Sequence, residues 1–156
     1  MAEPDSVRVE LCFDGGQVMN ALVTVESADA LQRSFSAASE AVDTYTRLFG
    51  AELEHRQTVP DQGVEAAAVL VGDGRVELLA SLGEETPVGR FLAKRGPGMH
   101  HVAYEVGDLR AALARLADEG AELIDPEPRA GLFGLEVAFV HPDSVHGVLA
   151  EVVSPT

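Results

Sequence analysis

Three observations predict an α+β fold built from two tandem β-α-β-β-β modules. The order strand, helix, three strands can be read twice along the chain, the two copies share letters as well as pattern, and each closing hairpin returns through a glutamate. Gly63-Val64-Glu65 with Ala67 and Val69 parallels Gly134-Leu135-Glu136 with Ala138 and Val140, and Glu77 in VELL matches Glu151 in AEVV. At 156 residues, 46% of them apolar, the chain is long enough for one well-buried core and too short for two ordinary domains. The expected division is an extra N-terminal strand at about 6–14, module one at about 17–83, a linker helix at about 84–97 and module two at about 98–154.

Taken in order, the apolar alternation of Val7 to Phe13 reads as a strand that turns at Asp14-Gly15-Gly16 to pair with Val18 to Val25. Cys12 lies in that alternation, so a buried or half-buried thiol is expected rather than a nucleophile, and a single cysteine excludes an internal disulfide. Leu31, Phe35, Ala38, Val42, Tyr45 and Phe49 are spaced by fours and threes, the mark of one apolar helix face, and Gly50 ends it. Ala51 to Val59, Val64 to Val71 and Arg75 to Leu82 read as three strands, the last two joined through Gly72-Asp73-Gly74. Glu84 to Arg95 reads as a linker helix with Val88, Phe91 and Leu92 on one side, stopped by Gly96-Pro97-Gly98. In the second copy, Met99 to Val106 is a strand and Asp108 opens a helix carrying Leu109, Leu113 and Leu116 to Gly120. Ala121 to Ile124, Leu135 to His141 and Gly147 to Val153 complete it, with the turn-rich DPEPRAGLFG between the first two.

The composition narrows the function classes. A formal charge of −15 repels a phosphate backbone, and no Lys/Arg stripe overcomes it, so nucleic acid is not an expected partner. No apolar run approaches the roughly 20 residues that cross a bilayer, and the first residues lack a basic and then hydrophobic leader, so no membrane association and a cytoplasmic location are expected. Arg90, Lys94 and Arg95 form the densest basic cluster, which reads either as a solvated helix face or as an anchor for a small anionic ligand.

Duplication predicts where chemistry would sit, because residues at matching places in the two halves approach one another near the symmetry axis. Glu77 and Glu151 are one such pair; His101, third in its strand, is matched by Ala21. Such a site receives Glu77, His101 and Glu151, with a methyl in the fourth place. His55, His141 and His146 have no case beyond loop or surface positions, and Tyr45 and Tyr104 read as packing residues.

From Val59 to Val153 the ordered run PDQGV, VELL, FLAKRGPGMHHVAYEV, DEGAELIDPEPR and VAFVHPDSVHGVLAEV resembles the methylmalonyl-CoA epimerases of the vicinal-oxygen-chelate superfamily. The resemblance implies an open, cupped mixed sheet and an epimerase or isomerase acting on a small carboxylated acyl thioester through a metal-stabilised enolate. Residue by residue, it implies Glu77, His101 and Glu151 as metal ligands, Glu151 and Glu77 as the groups that move the proton, and Arg129, Ser144 and His146 as substrate-binding residues. A divalent ion among Co2+, Mn2+, Ni2+ and Zn2+ suits such donors, and a homodimer is implied. The family's first ligand histidine is missing: Asn20-Ala21 takes its place by the helical reading, Asp29-Ala30 by a gapless one. With three ligands the metal binds more weakly unless water or another residue fills the place. A glutamate that some members carry after QGV is Ala66 here, with Glu65 pointing to the opposite face, and the family's His-Pro-Lys becomes His141-Pro142-Asp143. Those departures keep two other functions open: a metal-poor relative catalysing another rearrangement or cyclisation, and a noncatalytic small-molecule binding protein.

Overall fold

The computed structural model describes residues 18–25 and 31–155, with side chains from residue 38 onward. The expected N-terminal strand with Cys12, and the alternative Asp29-Ala30, lie outside the described residues. Module one comprises β1 (Val18–Val25), α1 (Leu31–Phe49), β2 (Glu52–Val59), β3 (Val64–Val71) and β4 (Gly74–Ser81). After α2 (Pro87–Arg95), module two comprises β5 (Met99–Glu105), α3 (Leu109–Asp118), β6 (Arg129–Ala130), β7 (Leu135–Val140) and β8 (Ala150–Pro155). All eight strands join one mixed sheet in the order β2-β3-β4-β1-β5-β8-β7-β6.

That order follows from the repeat. Each opening strand pairs parallel with its own closing strand, β1 with β4 and β5 with β8, and the two opening strands meet antiparallel at the centre. Their register sets Val18 against Tyr104, Met19 against Ala103 and Val23 against Met99, and Ala21 falls against Val102, one residue from His101. The match of Ala21 to His101 therefore holds to within one residue, with irregularities on either side of Ala21.

Strand alternation sorts the side chains into two faces. On one, Ala41 and Ala51 pack with Ala67, Val69 and Leu78 beneath α1, and Leu109, Ala112 and Leu113 of α3 pack with Ala138, Val140, Ala150 and Val152. The opposite face therefore carries Glu77 of β4 and Glu151 of β8. Its rim is closed by α2, whose Val88 and Leu92 bury against Val64, Ala66 and Leu79.

Helix α2 begins three residues later than expected, because Thr86 caps it and Pro87 occupies the first turn, where its missing N–H is not needed. The Thr86 hydroxyl accepts from Gly89 N at 2.9 Å and lies 2.7 Å from the fully buried Ser81 hydroxyl, tying the helix to the end of β4. Gly89 is required at this junction: a Cβ there would stand 2.1 Å from the Gly83 carbonyl oxygen.

Module two departs from the expected strands in one place. Residues 121–124 form only an isolated bridge, Leu123 to Val140, and the strand that pairs with the start of β7 is Arg129–Ala130, inside the segment read as a turn. The reason lies in Asp125-Pro126-Glu127-Pro128: two prolines without N–H groups cannot continue a ladder, so the chain leaves β7 and rejoins it four residues later. Phe49, expected on the apolar face of α1, is 60% exposed, with its ring 5.4 Å from that of Tyr45, whereas Ala38 and Ala41 are buried.

Glu65 lies under α1, as its position in the alternation requires. It is 2% exposed, and Arg56 reaches it at 2.7 Å while also donating to the Ser39 hydroxyl at 2.9 Å. Arg56→Ala strands that carboxylate in the core, and the expected cost is about 3–5 kcal/mol. Chemical denaturation checks it, with Arg75→Ala, at a half-exposed pair with Glu54, costing about 1 kcal/mol or less.

Candidate active site

On the face opposite α1 and α3 the curved sheet encloses a cavity of about 510 Å3, into which β4, β5 and β8 bring Glu77, His101 and Glu151. The three groups singled out by symmetry thus converge. His101 and Glu151 are buried, and His101 Nε2 lies 3.1 Å from Glu151 Oε2. The same nitrogen has no hydrogen-bond partner among the described residues, so the carboxylate is within ion-pair reach but off hydrogen-bond alignment.

Glu77 is half-buried by exposure of the residue as a whole, but its carboxyl is pushed up to about 7 by burial and then by the negative charge of Glu151; His101 and Arg75 act in the opposite sense. Two carboxylates facing one poorly hydrated space disfavour ionising together, so one holds a proton near neutrality. His100, next to the site, is lowered to about 4 by burial and by His101, so it is a neutral imidazole at neutral pH. Its Nδ1 is 3.0 Å from His101 Nδ1, and Phe91 of α2 packs edge-on against its ring at 5.0 Å.

Arg129 also lines the cavity. Asp125 holds it at 3.1 Å and accepts from Phe139 N at 3.0 Å, which places the guanidinium 5.2 Å over the Phe139 ring. Phe139 in turn packs edge-on against His101, 5.3 Å between centroids. Arg129 is thus the cation of the pocket wall, joined to the histidine through one aromatic ring.

Two expected substrate contacts lie elsewhere. Ser144 accepts from Glu122 N at 2.8 Å and lines a separate apolar cavity of about 260 Å3 beneath α3. His146 is exposed and left-handed at φ 52°. The cause is local: Pro142–Val145 winds into a 3-10 turn, started by His141 Nδ1 accepting from Asp143 N, which carries both side chains away from the cup. His100, Asp125 and Phe139 are site residues that sequence reasoning passed over. The adjacent His-His pair was the available signal for the first; nothing in the order of letters signals the other two.

The donors partly suit a divalent cation. An unpartnered buried imidazole nitrogen beside a carboxylate oxygen at 3.1 Å matches two neighbouring ligands of one ion, which stand about 3–3.4 Å apart when each bond is about 2.1 Å. A third ligand is not in place: among the described residues no group of three His, Cys, Asp or Glu side chains is arranged to hold an ion. Glu77 lines the same space.

Residues 36–139 match the model of the Glyoxalase/Bleomycin resistance protein/Dioxygenase superfamily. The mitochondrial methylmalonyl-CoA epimerase of Dictyostelium discoideum is 36% identical over 113 residues, 72% of this chain and 68% of that one. The ethylmalonyl-CoA/methylmalonyl-CoA epimerase of Cereibacter sphaeroides is 39% identical over 109 residues, 69% and 81% of the two chains. A solved structure of a methylmalonyl-CoA epimerase in complex with methylmalonyl-CoA and NH4+ superposes with a TM-score of 0.75 at 29% identity, covering 90% of this chain and 96% of that one. The shared fold, the converging Glu77, His101 and Glu151 and this similarity agree: the chain belongs to the Glyoxalase/Bleomycin resistance protein/Dioxygenase superfamily, as a methylmalonyl-CoA epimerase-like member.

Proposed function

We propose that the cavity epimerises a carboxylated acyl-CoA thioester, methylmalonyl-CoA being the first candidate, by moving a proton at C2 from one face to the other. The observation that carries this reading is the pair of carboxylates, Glu151 and Glu77, lining one cavity with His101 beside the first and a proton held near neutrality on the second. Ionised Glu151 takes the C2 proton, the carbanion flattens into an enolate, and protonated Glu77 returns a proton from the other side; in reverse the roles exchange. Burial by Phe139, Leu79 and Val137 keeps bulk water from quenching the enolate. Arg129, at the wall, is the group that receives the substrate's free carboxylate.

His101 and Glu151 are the residues that would hold a divalent ion, with Glu77 able to join them only after giving up its proton; when bound, the ion would supply positive charge to the enolate. Incubating one stereoisomer of methylmalonyl-CoA with the protein, and following its conversion by chiral separation, tests the reading. Conversion is expected, lost on dialysis against a chelator and restored by Co2+, Mn2+, Ni2+ or Zn2+. Conversion that survives in chelated, metal-free protein contradicts the metal role. No conversion with any of the four contradicts the epimerase and favours the metal-poor alternative.

The reading extends to a homodimer, supported by the large apolar side chains left exposed in module one, Leu48, Phe49, Leu53 and Leu70, of which Leu53 lies on the edge strand β2. Light scattering at twice 16.5 kDa is expected.

A further inference from the structure

Strand β5 carries a surplus residue where it meets β1. The register runs from Ala21 against Val102 to Val23 against Met99, so two steps along β1 answer three along β5, and the surplus falls at His100-His101. In regular pleating neighbouring side chains point to opposite faces, whereas a bulge re-aims consecutive ones toward the same side. Both imidazoles accordingly line the cavity. An aromatic ring holds each in place: Phe91 of α2 lies edge-on to His100 at 5.0 Å, and Phe139 of β7 edge-on to His101 at 5.3 Å. The two imidazoles stand at 76° to one another with their Nδ1 atoms 3.0 Å apart.

Two ring nitrogens at that distance are bound only when one carries a hydrogen and the other an electron pair. Were His100 the donor, His101 Nδ1 would accept and its own hydrogen would sit on Nε2, 3.1 Å from Glu151 Oε2. An N–H so close to a buried carboxylate would be drawn into line with it, yet Nε2 has no hydrogen-bond partner among the described residues. A charged His101, with hydrogens on both nitrogens, meets the same objection. The arrangement left has His101 Nδ1–H donating to His100 Nδ1, with His101 Nε2 bare. We propose that His100 is a positioning residue, holding His101 in the tautomer whose Nε2 electron pair opens on the cavity beside Glu151. A bare nitrogen next to a carboxylate oxygen suits a shared cation, and the value of the tautomer for a divalent ion rests on the metal role proposed above. The tautomer itself does not depend on that role. The competing explanation is that His100 only fills space beside Phe91, in which case ring shape matters and the nitrogen does not.

Imidazole nitrogen NMR of the metal-free full chain reads the tautomer directly. His101 is expected with its hydrogen on Nδ1 alone; a hydrogen on Nε2, alone or together with one on Nδ1, overturns the proposal. Two variants then separate nitrogen from shape. His100→Phe keeps a ring against Phe91 and removes the acceptor, whereas His100→Asn removes the ring and returns an acceptor oxygen near the place of Nδ1. In the spectra the phenylalanine variant is expected to move the His101 hydrogen to Nε2, and the asparagine variant to keep it on Nδ1. Calorimetric titration with Zn2+ is expected to give the phenylalanine variant an affinity about tenfold below wild type and the asparagine variant one within about threefold of it. A phenylalanine variant that matches wild type in both measurements contradicts the proposal, and so does an asparagine variant as impaired as the phenylalanine one. Should either variant fail to fold, the wild-type spectrum still decides. Wild type that shows the Nδ1 hydrogen but binds no divalent ion supports the positioning role while sinking the metal role in the epimerase reading.

Discussion

Glu151→Gln is expected to slow proton exchange at C2 of methylmalonyl-CoA by about 100-fold or more, the scale of losing a positioned general base. Glutamine keeps the shape and one oxygen but takes no proton from carbon. Because Glu151 is buried in the cavity beside His101 and glutamine has the same size, the amide fits the same space, and the variant is expected to melt close to the wild type. A fold-level effect would instead appear as a lowered melting temperature. Metal content measured on the same sample divides the two roles of this carboxylate. Exchange lost with metal retained identifies the base, and both lost together identify the ligand. Exchange within about threefold of wild type removes Glu151 from the chemistry.

Glu77→Gln is expected to abolish epimerisation in both directions while C2 exchange persists for the isomer whose proton faces Glu151, and to change how stability depends on pH. In the metal-free protein the Glu77 carboxyl is raised from 4.5 to about 7, so the folded state binds this proton more tightly than the unfolded chain does. The contribution is complete below about pH 4.5 and is lost as pH rises through about 7. Between pH 5 and 8 the wild type should therefore lose stability relative to the glutamine variant. The difference is at most about 3 kcal/mol, the full value of the shift, because the carboxyl opens onto the cavity and water offsets part of it. Parallel melting curves of wild type and variant across that range measure it. Loading Zn2+ should flatten the slope, since a bound cation favours ionised Glu77; parallel curves with and without metal would show that Glu77 never joins the ion.

The fold was legible because its signals are local and repeated. The 63–69 and 134–140 parallels, the helical spacing from Leu31 to Tyr45 and the glutamate in each closing strand all report period and symmetry, and the register of β1 on β5 puts Ala21 within one residue of its expected place. Legibility failed where geometry depends on a turn. Asp125-Pro126-Glu127-Pro128 displaced the second strand of module two to Arg129–Ala130, and the 3-10 turn after His141 drew Ser144 and His146 away from the cavity. Asp125 and Phe139 are invisible beforehand for a related reason. Each acts through a third residue, Asp125 by holding Arg129 and Phe139 by packing on His101, and such relations exist only once strands and loops are placed. Arg129 was reached through the likeness of its segment, and the structure supplies the physical cause in the Asp125 and Phe139 contacts that aim it.

Deuterium uptake is the most direct measurement. In heavy water, with a divalent ion supplied, wild-type protein should introduce one deuterium at C2 of methylmalonyl-CoA, and Glu151→Gln should not. If the loaded wild type leaves that position fully protiated over many hours while remaining folded, the cavity does not acidify carbon, and the paired carboxylates serve some other end.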